Sequence, residues 1–445
     1  MTSPTSPSDL VPPIESEHFT RAVTELGDKR PVVAKEAIFN AQGVKIVEKG
    51  TAINAKLYER LTAHKLPQPI EDSLVAEDVV NGHILREEVE LMLEREPFYA
   101  RMVDSPAERA KRLDIIEKLP LPEAMAFQLT LGRDVRPSVY RHSLRAMWTM
   151  VWLAHHPLGK RFELGEAAAV GLLHDIGMLH LDPTLLDNKA PLTRAQRRQL
   201  YSHPIISMML IERHHVYPKE VVRAVFEHHE CLNGSGYPRN LMAADVSPLG
   251  RCMAVAEVVT AMISGDNTGG ELRLSVLLRM NMHRYDTALI TRVMGLLRPE
   301  LDPGSQAVEP LADPVARLRE IDDIVAIWPR DAAALEALTP QREAGLAIVT
   351  QQMGQLRRSL AEAGLAPAQL DQLGDAALDP LLARELSLLA KEATWQLRTL
   401  ARQARRRWRA GEQGEYPVML QTWMDRCDAL GDALLSDTER AHQDD

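Results

Sequence analysis

The chain has 445 residues, 45% hydrophobic and 26% charged, an ordinary globular composition with length for about two to four domains. Aromatic residues make up only 4% and the formal net charge is -10, which argues against base-stacking platforms and against long nucleic acid as a partner. The three cysteines, Cys231, Cys252 and Cys427, are odd in number and widely spaced, so they fit a reduced cytoplasmic chain and offer no CxxC site.

Residues 1–17, rich in Ser, Pro and Thr, read as a disordered tail without the basic start or apolar core of a signal peptide. No apolar run approaches roughly 18 residues, so no membrane contact is expected. Residues 18–84 read as a small α+β module. Within it, β-branched residues between Pro31 and Ile53 alternate around the turn signals Asn40–Gly43 and Lys49-Gly50 and predict a hairpin. A helix follows from Asn54, with Leu57, Leu61 and His64 on one face, and ends at Pro67 and Pro69. Residues 85–134 read as connecting helices broken by Pro97, Pro106, Pro120 and Pro122, and Ser138 is expected to cap the helix that carries His142. Helical stretches are then predicted around 164–179, 193–213, 218–230 and 247–264, within a domain spanning 135–300. Residues 301–314, with Pro303, Gly304, Pro310 and Pro314, read as a linker, and 315–445 as a C-terminal helical region. Its arginines, Arg398, Arg402 and Arg405 to Arg407 among them, interleave with Trp395, Leu400 and Trp408 and read first as a solvated face, with room for a homodimer or signalling-protein contact. The fold class expected is therefore mainly α.

Histidine is the unusual component, because ten of the fifteen lie in the 88 residues from His142 to His229. The decisive pair is His174-Asp175 in Val170–Gly177. An imidazole and a carboxylate side by side in an apolar helix are costly to bury, and a metal cation compensates them directly. A salt-bridged core pair would be the bland alternative. His142 lies 32 residues earlier, His203 29 later, and His228-His229 25 and 26 beyond that, each on a separate predicted helix, so a bundle could converge them. This nitrogen and carboxylate mixture suits Fe, Mn or Zn, and a bridging carboxylate favours two ions. By contrast, His155-His156 and His214-His215 sit at predicted helix ends and read as surface or capping residues, and His180 as structural.

The order His142-Ser143-Leu144-Arg145, His174-Asp175-Ile176-Gly177, His203, His228-His229-Glu230 and Gly234-Ser235-Gly236-Tyr237-Pro238 resembles the HD-GYP subgroup of the HD-domain metal-dependent phosphohydrolases, from about Val135 to Leu297. The resemblance implies a helical bundle in which His142, His174, Asp175, His203, His228, His229 and Glu257 bind two divalent metal ions, Fe or Mn in preference to Zn. Asp175 takes the bridging place, and Asp175 and His174 are the catalytic pair. It also implies a cytoplasmic bacterial phosphodiesterase in cyclic di-GMP signalling, acting on that nucleotide or another small phosphoester. A non-catalytic signalling or scaffold protein that binds metal or nucleotide is the alternative. Several positions depart from the family pattern. Met178 stands where Lys usually follows HDIG, and Glu257 where the VADxxDA carboxylate is Asp. Ser264–Gly270 replaces a basic RPYR stretch, with Arg273 a substitute at most. Ser138 replaces the Glu of three-metal members, and Asn233 the Asp of DGSGYP. Weak or altered activity is expected.

Overall fold

The structure is a computed structural model that describes residues 17–155, 163–187, 192–264, 269–299, 308–338, 343–365, 370, 379–407 and 417–441. The expected tail, His156, Asn188-Lys189, Asp266–Thr268, the linker as far as Ala307, Trp408 and Arg409 lie outside the described residues. The described chain is mainly helical, as expected, and divides into two compact units: residues 1–264 with 284–289, and residues 265–283 with 290–445.

The first unit opens with helix α1 (Glu17–Lys29), whose Phe19, Ala22, Val23 and Leu26 are buried. Strands β1 (Val32–Ala34), β2 (Ile38–Phe39), β3 (Lys45–Val47) and β4 (Leu74–Ala76) form two antiparallel pairs, β2 with β3 and β1 with β4. The hairpin predicted over 31–53 pairs β2 with β3, where the Asn40 carboxamide accepts from Gln42 N and Val44 N, and continues into an antiparallel bridge of Val33 with Ala52, where Ala34 N donates to Thr51 O and Ile53 N to Val32 O. The further partner of β1 is β4, a later strand too short for an alternation signal to reveal. Asn54 caps a short turn that leads into α2 (Tyr58–Thr62) through a 3.1 Å bond from Lys56 N, and His64 is exposed beyond it.

Helices α3 (Gly82–Arg95), α4 (Pro97–Ala100), α5 (Pro106–Glu117) and α6 (Glu123–Val135) follow, the prolines standing at or just before the helix starts as their missing N–H predicts. Helix α7 (Pro137–Ala154) is the centre of the unit, buried on nearly every side. Trp148 is fully enclosed there, and its indole N–H donates to Tyr99 O at 3.0 Å. Pro137 takes the first helical position, so Ser138 lies inside the helix and caps nothing; Arg136 is the N-cap residue.

Helices α8 (Leu164–Leu173) and α13 (Pro248–Met262) pack against α7, α12 (Lys219–Glu227) packs on α8, α13 and α11 (His203–Glu212), and α9 (Thr184–Asp187) and α10 (Arg194–Leu200) lie between α8 and α11 in the chain. The stretch predicted as one helix over 193–213 is broken at Tyr201-Ser202, because Pro204 has no N–H to continue α10 and starts α11 instead. Likewise α8 ends at Leu173, and residues 176–180 form a 3-10 turn. The His174-Asp175 pair thus stands at a junction and not inside an α-helix.

The second unit contains α14 (Gly270–Met280), most of α15 (Thr287–Leu296), α16 (Pro314–Leu338), α17 (Glu343–Glu362), α18 (Pro380–Arg407) and α19 (Val418–Ala441). Its core gathers Trp328, Trp423, Leu356 and Leu397 together with Leu272 and Val276 of α14. Arg279 of α14 pairs with Glu385 at 2.5 Å, and Asn281 donates to Glu392 at 2.8 Å. Helix α14 was counted above with the 135–300 segment, yet its packing lies in this unit. Of the arginine-rich helix, Leu400 is buried, Trp395 is half exposed and Arg405 pairs with Asp428. No helix among the described residues is long and apolar enough to cross a membrane.

Candidate metal centre

Five segments of the first unit deliver the donor set. His142 stands in the second turn of α7, His174 caps α8 and Asp175 follows it, His203 opens α11, His228 caps α12 with His229 next, and Glu257 lies in the third turn of α13. The HDIG glycine makes this convergence sterically possible. A Cβ on Gly177 would lie 2.5 Å from His203 O and 2.8 Å from Ser207 N, so only glycine lets the turn after Asp175 touch α11. Its N–H donates to Ser207 Oγ at 2.9 Å.

The ligand atoms form two groups, His142, His174 and Glu257 in one, and Asp175, His203, His228 and His229 in the other. In the first, Nε2 of His142 lies 3.2 Å from Nε2 of His174 and 2.9 Å from Glu257 Oε2. In the second, Nε2 of His203 lies 2.9 Å from that of His228 and 3.1 Å from that of His229. Donors about 2.1 Å from a shared ion and 90–109° apart would be separated by about 3.0–3.4 Å, so both groups have the spacing of coordination edges. Asp175 faces both. Its Oδ2 is 3.6 Å from His174 Nε2 and 3.8 Å from His142 Nε2, while Oδ1 is 3.2 Å from His203 Nε2 and 3.6 Å from His228 Nε2.

Hydrogen-bond bookkeeping shows why a cation fits. Nδ1 of His174 donates to Gly171 O (2.9 Å), that of His203 to Leu200 O (2.6 Å), and that of His228 to Val225 O (2.6 Å), each the carbonyl three residues earlier. A ring that keeps its one proton on Nδ1 turns a bare Nε2 lone pair toward its neighbours. Lone pairs about 3 Å apart repel unless a positive charge lies between them. Asp175 Oδ1, buried among these nitrogens, has no hydrogen-bond partner. The donor set therefore suits divalent metal.

Electrostatics agree with that reading. Burial alone would raise the Asp175 carboxyl, but the imidazoles around it, His174 foremost, hold it well below the usual range. Glu257 is likewise held well below, against burial, by His142. Burial lowers His228, and burial with the neighbouring His228 and His203 rings lowers His229 much further, leaving both neutral at pH 7. His142 differs: although burial opposes it, Glu257 and Asp175 raise it to about 9.

The Gly-Ser-Gly-Tyr-Pro loop folds back on this centre. A Cβ on Gly236 would lie 2.3 Å from Cys231 N and 2.5 Å from His229 O, so the glycine allows Tyr237 N to donate to His229 O at 3.1 Å. Asn233 accepts from Ser235 N and Oγ and keeps the turn. Glu230 braces the loop, accepting from Arg239 N at 2.6 Å and Leu241 N at 2.9 Å. Tyr237 stacks on the His229 ring with centroids 4.6 Å apart, and Tyr201 stacks on Tyr237 at 4.1 Å. Tyr201 belongs to no motif, and its one sequence signal is a place two residues before His203. The histidines read as bland lie away from the centre. His155 ends α7, His214 and His215 follow α11, and His180 stacks on Phe19 of α1 at 4.2 Å.

Residues 143–289 match the family model described as an HD domain. These residues form an HD domain. The match contains all the ligand candidates except His142, which immediately precedes it. Over 177 residues the chain is 28% identical to the 3'3'-cGAMP-specific phosphodiesterase 1 of Vibrio cholerae serotype O1, covering 39% of this chain and 40% of that protein. A cyclic di-GMP phosphodiesterase of Pseudomonas aeruginosa is 30% identical over 125 residues, 28% of this chain and 30% of its own. Cyclic di-GMP phosphodiesterase PdeB of Borreliella burgdorferi is 25% identical over 122 residues, 27% of this chain and 32% of its own. The chain thus spans less than half the length of each of these relatives.

Within the HD domain, Met178 is 8% exposed, and its N–H donates to Asp175 O at 2.9 Å. In a 3-10 turn, residues three apart eclipse, so Met178 shares the side of Asp175.

Proposed function

We propose that this HD domain is a two-metal phosphodiesterase for a cyclic dinucleotide of the cyclic di-GMP and 3'3'-cGAMP class, with turnover reduced by the absence of a cation at position 178. The observation that carries the reading is Asp175, whose two oxygens face two separate nitrogen clusters. The phosphodiesterase names of the relatives support the substrate class.

In this reading His142, His174 and Glu257 hold one ion, His203, His228 and His229 the other, and Asp175 spans them. Divalent ions held by these residues would supply an acidified water as nucleophile and positive charge against the phosphodiester. The chain's own contribution is orientation. Bonds from Nδ1 of His174, His203 and His228 to backbone carbonyls aim Nε2 inward, and the low carboxyl pKa values keep Asp175 and Glu257 ionised. Met178 supplies neither charge nor donor to a phosphate, so that load falls on the ions. The imidazole and carboxylate donors suit Fe, Mn or Zn, and the preference for Fe or Mn rests on the resemblance to the HD-GYP subgroup. The three cysteines form no disulfide, which supports a reducing cytoplasm.

The test is anaerobic purification, metal analysis, and chromatography of cyclic di-GMP and 3'3'-cGAMP after incubation, for the wild type and Asp175→Asn. About two ions per chain and slow linearisation are expected, with metal content and turnover both falling in the variant while its circular dichroism is kept. A wild type that takes up no metal at saturating supply removes the reading. Metal without turnover favours the second reading, a nucleotide-binding signalling protein, which the thioether at 178 supports.

A further inference from the structure

Three of the histidine ligands are fixed by their own backbone through Nδ1, as described above for His174, His203 and His228. Among the described residues, Nδ1 of neither His142 nor His229 has such a bond. His142 is tied through Nε2 to Glu257 at 2.9 Å. His229 has a different support: one face of its ring lies on Tyr237, with centroids 4.6 Å apart and planes 24° apart. The other face of Tyr237 is covered by Tyr201, at 4.1 Å and 14°. Tyr237 also meets His203 edge-on at 6.3 Å, so the same ring borders two ligands of one group.

We infer that Tyr201 is a positioning residue for the Asp175, His203, His228 and His229 metal position, acting through Tyr237 to set the plane of the His229 ring. Tyr201 is 43% exposed, and its N–H donates to Arg197 O at 2.9 Å, closing α10. The same turn supplies Leu200 O, which holds Nδ1 of His203. One break between two helices therefore orients two ligands, His203 by a hydrogen bond and His229 by a two-ring stack. The stack requires an aromatic face at 201 and no hydroxyl.

This inference rests on the metal-centre reading, and its test separates the two. Metal-free full-length protein is titrated with cobalt(II), following the visible absorption bands and the isotherm, for the wild type, Tyr201→Ala and Tyr201→Phe; thermal melts without metal check folding. Removing a group that orients a ligand typically weakens metal affinity about ten- to a hundredfold. Tyr201→Ala is expected to weaken one of two cobalt equivalents by at least about tenfold and to alter its absorption. Tyr201→Phe should restore both. The same loss should persist when His142→Ala has disabled the other position. Wild-type binding by Tyr201→Ala overturns this inference alone, as does a Tyr201→Phe variant as weak as Tyr201→Ala. A wild type that binds no cobalt overturns this inference and the metal centre together.

Discussion

Met178 places a thioether one 3-10 turn from Asp175, on the side where an ammonium would meet a substrate phosphate. A charge-assisted hydrogen bond to phosphate contributes about 1.5–3 kcal/mol, so Met178→Lys is expected to raise cyclic dinucleotide turnover about tenfold or more. Met178 is 8% exposed, so desolvating an ammonium there should lower stability in thermal or urea unfolding by several kcal/mol wherever no anion pairs with it. An unchanged rate with metal retained would show that no phosphate lies within its reach. His142 sets the pH behaviour. Its pKa near 9 exceeds the unfolded value near 6.5, so without metal its stabilising contribution is complete below about pH 6.5 and is lost as pH rises through 9. Metal must displace that proton. Loading at pH 7.5 is expected to release a proton from His142, with affinity rising about tenfold per pH unit until near pH 9 and then levelling. Calorimetry in buffers of different ionisation enthalpy measures this, and a His142→Ala variant should lose the dependence. The seven ligand candidates were legible because they fall in ordered motifs of costly residue types. Tyr201 was not, because its role depends on a ring brought from another segment.

Among the elements, the 3-10 turn at 176–180 and helix α11 are held in contact by one missing side chain. Gly177→Ala would force a Cβ to within 2.5 Å of the backbone oxygen of His203. Overpacking of this kind costs about 1–3 kcal/mol, and the shift should separate His203 from Asp175. The variant is therefore expected to lose bound metal while keeping its helical circular dichroism, which metal analysis of folded protein checks. Full metal content would mean that the turn yields without moving α11. Helix positions were readable from apolar periodicity and proline placement, but helix ends were less so. The break at Tyr201-Ser202, set by Pro204, aims His203, and the early end of α8 releases His174-Asp175 from the helix. The further partner of β1 was hidden because three residues carry too little alternation to identify a strand.

At the scale of the molecule, the N-terminal module is built into the first unit. Phe19 stacks on His180, Arg30 pairs with Asp134 at 2.6 Å, and Glu71 accepts from both Arg213 at 2.7 Å and Gln128 at 2.8 Å. Arg213 caps α11, the helix that begins with His203. Deleting residues 1–81 is thus expected to strand buried polar groups and α6 apolar surface, giving aggregated protein and no smaller active enzyme. Soluble yield and size-exclusion chromatography test this, and a monodisperse, metal-loaded truncation would show the module to be separable. The sequence indicated such a module from its turns and short strands, but its docking depends on side chains far apart in the chain. The two compact units have a further property. The chain passes from one to the other after Ser264, after His283 and after Leu289. No single cut yields both units whole, since α14 would remain attached to one while its apolar face belongs to the other. Such threading works against cassette-like exchange, because recombination at one breakpoint cannot replace the second unit without dividing one unit or the other.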